Sequence, residues 1–207
     1  MTSEPTVFVV DDDQAMRGSL QWLLESLKLN VETYASAKDF LSVYDPVHPG
    51  CLLLDVRMPD VSGLQLQEIL ATRKIRIPVI LITGHGDISM AVRAMKAGAF
   101  DFIEKPFNDQ ILLERIQQGL AVDARQRCEA VEREKIIERI GLLTPREGEV
   151  LDSVVSGKSN KLIAVELGIS IKTVEVHRAR VMEKMSVNSV AELTAQCIAS
   201  GLHTGKP

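Results

Sequence analysis

The sequence predicts an α/β unit, a parallel sheet with helices on both faces, followed by a small all-helical unit. Three observations carry this. Short apolar runs alternate with amphipathic stretches through residues 6–120, the pattern of β-α repeats. Several of those runs stop on chemically capable side chains: Asp11-Asp12-Asp13, Asp55, Thr83-Gly84 and Glu104-Lys105-Pro106. From residue 141 onward the strand pattern gives way to helical spacing broken by short glycine-containing turns.

In order, residues 7–10 read as a buried strand and 14–27 as a helix, with Met16, Leu20, Leu23, Leu24 and Leu27 at helical spacing. Residues 31–34 form a second strand, and Ser36 caps a helix over 37–44. The run Cys51-Leu52-Leu53-Leu54-Asp55 lies between Pro49-Gly50 and Met58-Pro59-Asp60, as a strand covered on both faces should. A helix over 64–73, a strand over 79–82 and a helix over 88–97 follow, the last ended by Gly98 in a left-handed turn. A strand over 100–103 and a helix from Asn108 complete five β-α units. Residues 123–139 alternate in charge and contain no Pro or Gly, which reads as a solvated helical linker continuing the preceding helix. A coiled-coil seam through Ala124, Cys128 and Val131 is the weaker alternative, because the pattern is not sustained over three heptads.

After Gly141, Thr144-Pro145-Arg146-Glu147 supplies an N-cap, a Pro at the first helical position and an acid in the first turn. Val150, Leu151, Val154 and Val155 make the apolar face, and Gly157 ends the helix. A second helix over 159–167, the turn Gly168-Ile169-Ser170, a third helix over 171–185 and a fourth from Asn188/Ser189 to Ser200-Gly201 complete the unit. The expected division is 1–122, a helical linker over 123–140, and 141–207.

Composition excludes several classes. In 207 residues, 45% are hydrophobic and 25% charged, as in ordinary soluble proteins. No apolar run reaches the ~18 residues that span a bilayer, and no secretory signal is expected. Cys51, Cys128 and Cys197 are odd in number and lack metal-ligand spacing, which suits a reducing cytoplasm. The net charge of −4 does not announce nucleic acid. Residues 1–120 carry 11 Lys/Arg against 16 Asp/Glu, whereas 141–207 carry 8 against 7, so any nucleic-acid surface there is a local patch.

The strand ends point to phosphoryl chemistry. Asp11, Asp12 and Asp55 would offer carboxylates to a hard divalent cation such as Mg²⁺. Asp55 is the natural nucleophile toward phosphorus, since carboxylates form acyl phosphates. Lys105 would neutralise charge on the transferring oxygens, and Thr83 would hydrogen-bond one of them. Lys105-Pro106 sits at a turn suited to a cis peptide. Each residue alone has a bland reading as a turn, cap or solvated side chain; four strand ends together do not. His85 is taken as non-catalytic.

Residues 5–122 resemble a response-regulator receiver domain. The resemblance rests on Val10-Asp11-Asp12, Leu54-Asp55-Val56-Arg57-Met58-Pro59, Ile82-Thr83-Gly84-His85-Gly86, Met95-Lys96-Ala97-Gly98-Ala99 and Phe102-Ile103-Glu104-Lys105-Pro106-Phe107. Residues 141–201 resemble the LuxR-type helix-turn-helix, through Leu143-Thr144-Pro145-Arg146-Glu147 and Thr173-Val174-Glu175-Val176-His177-Arg178. The combination is similar to the FixJ branch of the NarL family. It implies a flavodoxin-like, doubly wound sheet of order 2-1-3-4-5. It also implies Asp55 as the acceptor of phosphate from a sensor histidine kinase, and Mg²⁺ on Asp11, Asp12, Asp55 and the backbone carbonyl of Arg57. Thr83 and Phe102 would be the switch pair, and Phe at 102 excludes a hydroxyl-dependent switch. Phosphorylation would drive homodimerisation, double-stranded DNA is the expected target, RNA polymerase is a further partner, and no membrane is involved. The fourth helix, with Val190, Leu193 and Cys197, would pair two DNA-binding units.

The third helix of the C-terminal unit splits into two faces. Val174, His177, Val181 and Met185 should pack on the unit. The opposite face presents Lys172, Glu175, Val176 and Ala179, flanked by Arg178 and Arg180, and Thr173 is counted with this set. Glu accepts from cytosine and Val or Ala meets thymine methyls, while the cations suit phosphates. Asn160 and Lys161, with Lys158, would meet the DNA backbone. Two rivals are weaker. An aspartyl phosphatase commonly has an acid two residues after its nucleophile, where Arg57 stands; an RNA-binding output wants aromatics, and 141–207 contain none. The expectation is a phosphorylation-controlled transcription regulator that is not an enzyme.

Overall fold

The computed structural model describes residues 4–84 and 88–201; Ile88 is described by its backbone only. The motif residues His85 and Gly86 therefore lie outside the described residues. The chain divides into two compact units, Met1–Arg127 and Cys128–Pro207.

In the first unit, β1 (Thr6–Val10), β2 (Asn30–Tyr34), β3 (Gly50–Asp55), β4 (Val79–Thr83) and β5 (Asp101–Glu104) form one five-stranded sheet, ordered β2-β1-β3-β4-β5. Every pairing is parallel. The alternating side chains of the strands explain the two layers of helices. Phe8, Val10, Leu52, Leu54 and Leu81 pack with Phe40 of α2 (Ala37–Val43), Leu66 and Leu70 of α3 (Gly63–Thr72) and Ala94 of α4 (Ile88–Lys96). Val7, Val9, Leu53, Ile80 and Ile82 pack on the opposite face with Leu20 and Leu24 of α1 (Gln14–Ser26) and Leu112 and Ile116 of α5 (Asp109–Gly141). All six β3 residues are buried, as an uninterrupted apolar run predicts. The last strand starts one residue later than expected, at Asp101, although Phe100 already donates its N–H to the Val79 carbonyl.

Helix α5 continues unbroken through the stretch read as a linker, but that stretch is not uniformly solvated. Asp123 is 3% exposed, and its Oδ2 accepts from the Gly50 N–H at 2.9 Å and from Arg127 Nε at 2.7 Å. Arg127 in turn donates to the carbonyls of Pro46, Val47 and His48. Further along, Ile136 is buried in the core of the second unit and Arg133 donates to the Ser200 carbonyl.

The second unit adds α6 (Pro145–Val155), α7 (Asn160–Leu167), α8 (Ile171–Met185) and α9 (Val190–Ser200). Its core joins Val150, Leu151 and Val154 to Ile163, Val174, Val181 and Met185. Ser159, Ser170 and Ser189 cap α7, α8 and α9, each accepting from a backbone N–H three residues on. Gly168 turns α7 toward α8 at φ +66°. Thr144 and Glu147 form a reciprocal capping box at α6. Glu147 also accepts from Lys184 Nζ at 2.7 Å, which ties α6 to α8. The Lys184 bond, then the Thr144 backbone bond, hold the Glu147 carboxyl at about 2, below its ordinary 4.5. A depressed carboxylate pKa gives stability that is full above the unfolded value and lost as pH falls through the folded one. The second unit is therefore expected to weaken between pH 4.5 and about 2. Glu147→Gln should flatten that part of the acid-melting profile followed by circular dichroism.

One expectation for α9 needs correction. Leu193 and Cys197 are each 1% exposed in this unit's own core, so they do not offer a pairing surface. Of the three residues expected there, only Val190 is exposed, and Ile198, 62% exposed, shares the outer side of the helix.

Candidate functional site

The parallel register brings the carboxyl ends of β1 and β3 side by side, with Val10 opposite Leu54. Asp11 and Asp55, the next residue on each strand line, are 3% and 8% exposed. Lys105 follows β5 and precedes a cis peptide to Pro106, as the turn chemistry suggested. Its Nζ donates to Asp11 Oδ2 at 2.9 Å and to Asp55 Oδ1 at 2.7 Å. The remaining carboxylate oxygens are also held: Asp13 N–H donates to Asp11 Oδ1 at 2.8 Å, and Arg57 N–H to Asp55 Oδ2 at 2.6 Å. Arg17 Nη1 donates to the Asp11 carbonyl at 2.6 Å and steadies the acidic loop.

Burial pushes the Asp55 pKa up; Lys105 opposes this, and the like charge of Asp11 adds to it. Burial alone would lower the Lys105 pKa, but its bonds to Asp55 and Asp11 outweigh that and raise it. The two shifts differ in what they say of the ion pair: the lysine gains from it, while the aspartate remains penalised. Two buried carboxylates share one cation, so the attraction raises the lysine while burial and the like charge of Asp11 still penalise the ionised aspartate.

Thr83 is fully buried at the end of β4, and Phe102 is half-buried on β5 against the α2–α4 face. Asp12 stays exposed. Among the described residues no three His, Cys, Asp or Glu side chains converge as a metal site. The donor chemistry nevertheless fits a hard divalent cation. Asp11 and Asp55 are buried oxygen donors on adjacent strands, Asp12 is an accessible third carboxylate on the same loop, and one ammonium does not balance them.

Sequence reading missed Gly63, which a structure finds at once. Its N–H donates to the Val56 carbonyl at 3.0 Å, closing the turn after Asp55. A Cβ there would fall on the Asp55 carbonyl oxygen and 3.0 Å from the Val56 Cα. Gly63→Ala should destabilise the first unit by about 2 kcal/mol, the range for forced overpacking. A urea melt of the full chain checks it, with a lower midpoint expected for the variant.

In the second unit, α8 packs as its periodicity predicted. Val174, Val181 and Met185 are buried, and His177 is half-buried with Nδ1 away from any hydrogen-bond partner among the described residues. Lys172, Glu175, Val176, Ala179 and Arg180 are exposed, as is Lys161 on α7, and Thr173 is half-buried. Arg178 Nη1 donates to Asn160 Oδ1 at 2.6 Å, which joins two of the expected DNA contacts. Lys158 is paired with Glu166 at 2.7 Å.

Comparison with known proteins agrees with both halves of this geometry. Residues 7–117 match the response regulator receiver domain family, and residues 141–197 match the bacterial regulatory proteins of the luxR family. The chain is 46% identical over 188 residues to the transcriptional regulatory protein TdiR of Thauera aromatica, covering 91% of this chain and 83% of that one. It is 45% identical over 196 residues to the transcriptional regulatory protein FixJ of Rhizobium meliloti, covering 95% and 96%. Among solved structures, the response regulator StyR aligns with a TM-score of 0.82 at 46% identity, covering 95% of this chain and 99% of that one. Full-length FixJ from B. japonicum aligns at 0.59 and 39% identity, covering 97% and 99%. With a receiver fold whose strand ends gather Asp11, Asp55 and Lys105, followed in the chain by a helix-turn-helix unit, the chain belongs to the two-component response regulators of the FixJ branch, in the NarL/LuxR family.

Proposed function

We propose that this chain is a transcription regulator in which phosphorylation of Asp55 controls assembly on DNA. The Lys105 bridge between Asp11 and Asp55 carries the reading, because it fixes a buried carboxylate beside a cation at the mouth of a parallel sheet. The phosphoryl donor is a phosphohistidine on a sensor kinase: a bond forms from an Asp55 carboxylate oxygen to phosphorus as the phosphorus–nitrogen bond breaks. Arg57 N–H and Lys105 hold the two Asp55 oxygens and so set the carboxylate's orientation before attack. Asp11, Asp12, Asp55 and the Arg57 carbonyl are the proposed Mg²⁺ ligands. The bound ion would supply charge neutralisation at the transferring phosphoryl oxygens. Thr83 and Phe102 are the proposed switch residues. A groove of about 740 Å³ along α1 and the Lys105-Pro106-Phe107 turn shares Lys105 with the site and includes the exposed Trp22, which suits kinase docking.

On this reading residues 1–122 receive the phosphate and 141–207 bind double-stranded DNA through α8, with 123–140 between them. Val92 and Met95, 46% and 47% exposed on α4, support a homodimer face beside β5. RNA polymerase is the expected downstream partner. The phosphoryl group is taken up on the chain's own aspartate, so the protein is a regulator rather than an enzyme. Its cysteines are free thiols, in keeping with the cytoplasm, and no described helix is long and apolar enough to cross a membrane.

Incubation with Mg²⁺ and acetyl phosphate tests the reading by intact mass. One added phosphoryl group that hydroxylamine removes is the expected result. A protein that gains none, or gains one stable to hydroxylamine, contradicts it.

A further inference from the structure

Some cations of the second unit are held by carboxylates and others by neutral oxygens. Lys158, Arg146 and Lys184 each meet a carboxylate, on Glu166, Glu149 and Glu147. Arg178 instead meets the neutral side-chain amide of Asn160, 18 residues earlier and on the other helix of the pair. A guanidinium only donates, so Asn160 must turn its oxygen to Arg178. The choice of partner matters because Glu175 lies three residues before Arg178 on α8, where a helical ion pair is ordinarily available. Among the described residues Arg178 and Glu175 make no such pair, and Glu175 remains exposed.

We infer that Asn160 is a positioning residue for DNA binding, a neutral lock that diverts Arg178 from Glu175. It rests on the DNA-binding reading above. The lock has two consequences. Arg178 is held by a partner that leaves its charge intact, so it can neutralise a phosphate. Glu175 keeps its acceptor oxygens for a base edge instead of spending them on its neighbour. Without the amide, Arg178 is free to fold back along α8 onto Glu175, and both groups are lost to DNA at once.

The experiment uses the full chain with Mg²⁺ and beryllofluoride, and a labelled mixed-sequence duplex of about 30 base pairs, since phosphate contacts do not depend on sequence. Binding is followed by fluorescence anisotropy over a salt series. Asn160→Ala should weaken binding about fivefold and lower the salt slope by about one, as loss of one phosphate contact does. Asn160→Ala/Glu175→Gln should return to within about twofold of Glu175→Gln alone, because a neutral residue 175 no longer captures Arg178. Wild-type affinity in Asn160→Ala overturns the inference. So does a double variant as weak as Asn160→Ala, which would mark a structural role. Where loss of helical circular dichroism shows that Asn160→Ala fails to fold, Asn160→Asp carries the test. It keeps an acceptor but cancels the charge, and an unchanged salt slope overturns the lock. A wild-type chain that ignores the duplex brings down the DNA-binding reading itself, and the lock with it.

Discussion

Asp55→Asn should accept no phosphoryl group from acetyl phosphate or a kinase, a complete loss, while the fold persists. Asn keeps the shape of the side chain, and its one amide oxygen can accept from Arg57 N–H or from Lys105 but not from both, while its amide is no nucleophile toward phosphorus. Stability should not fall with the charge. A carboxyl whose folded pKa lies above its unfolded 3.8 stabilises the fold while protonated; that contribution is full below 3.8 and is lost as pH rises through the raised value. Ionising Asp55 above that raised value therefore works against the fold, and its bond to Lys105 offsets part of this. Phosphate incorporation and a thermal melt at pH 7 check both halves. Hydroxylamine-labile phosphate on the Asn variant, or a clearly lower melting midpoint, would be the wrong outcome.

Asp123→Ala should cost the first unit about 3 kcal/mol, the scale for removing one partner from a buried, hydrogen-bonded charge pair. The change leaves the Gly50 N–H without its acceptor at the start of β3, and it leaves Arg127 with three carbonyls and no carboxylate. Arg127→Ala should cost less, since Asp123 keeps its bond to Gly50. Urea melts of the two variants measure this directly. Equal midpoints for Asp123→Ala and the wild type would show that the buried carboxylate contributes nothing.

Asp123 also shows where sequence reading stops. The strand ends were legible because β-α alternation places Asp11, Asp55, Thr83 and Lys105 on one rim whatever the loop details. The caps were legible because a Ser or Thr before a helical run acts within three residues. Asp123 answers to a backbone N–H 73 residues away, and no side-chain pattern records a backbone donor. Charge alternation around it is equally the signature of a solvated helix. The same holds for Gly63, whose importance lies in the Asp55 backbone it touches, and for Lys184, which meets Glu147 at a separation of 37 residues. The resemblance, rather than any residue pattern, assigned Leu193 and Cys197 of α9 to the pairing of two units. Their apolar context suits the unit's own core equally, which is where the structure places them.

Sedimentation velocity with Mg²⁺, with and without beryllofluoride, on the wild type and Asp55→Asn side by side, tests most directly the claim that the state of Asp55 controls assembly. The account predicts a monomer-to-dimer shift on adding beryllofluoride to the wild type and none in the variant. An unchanged wild type, or the same shift in Asp55→Asn, would contradict it.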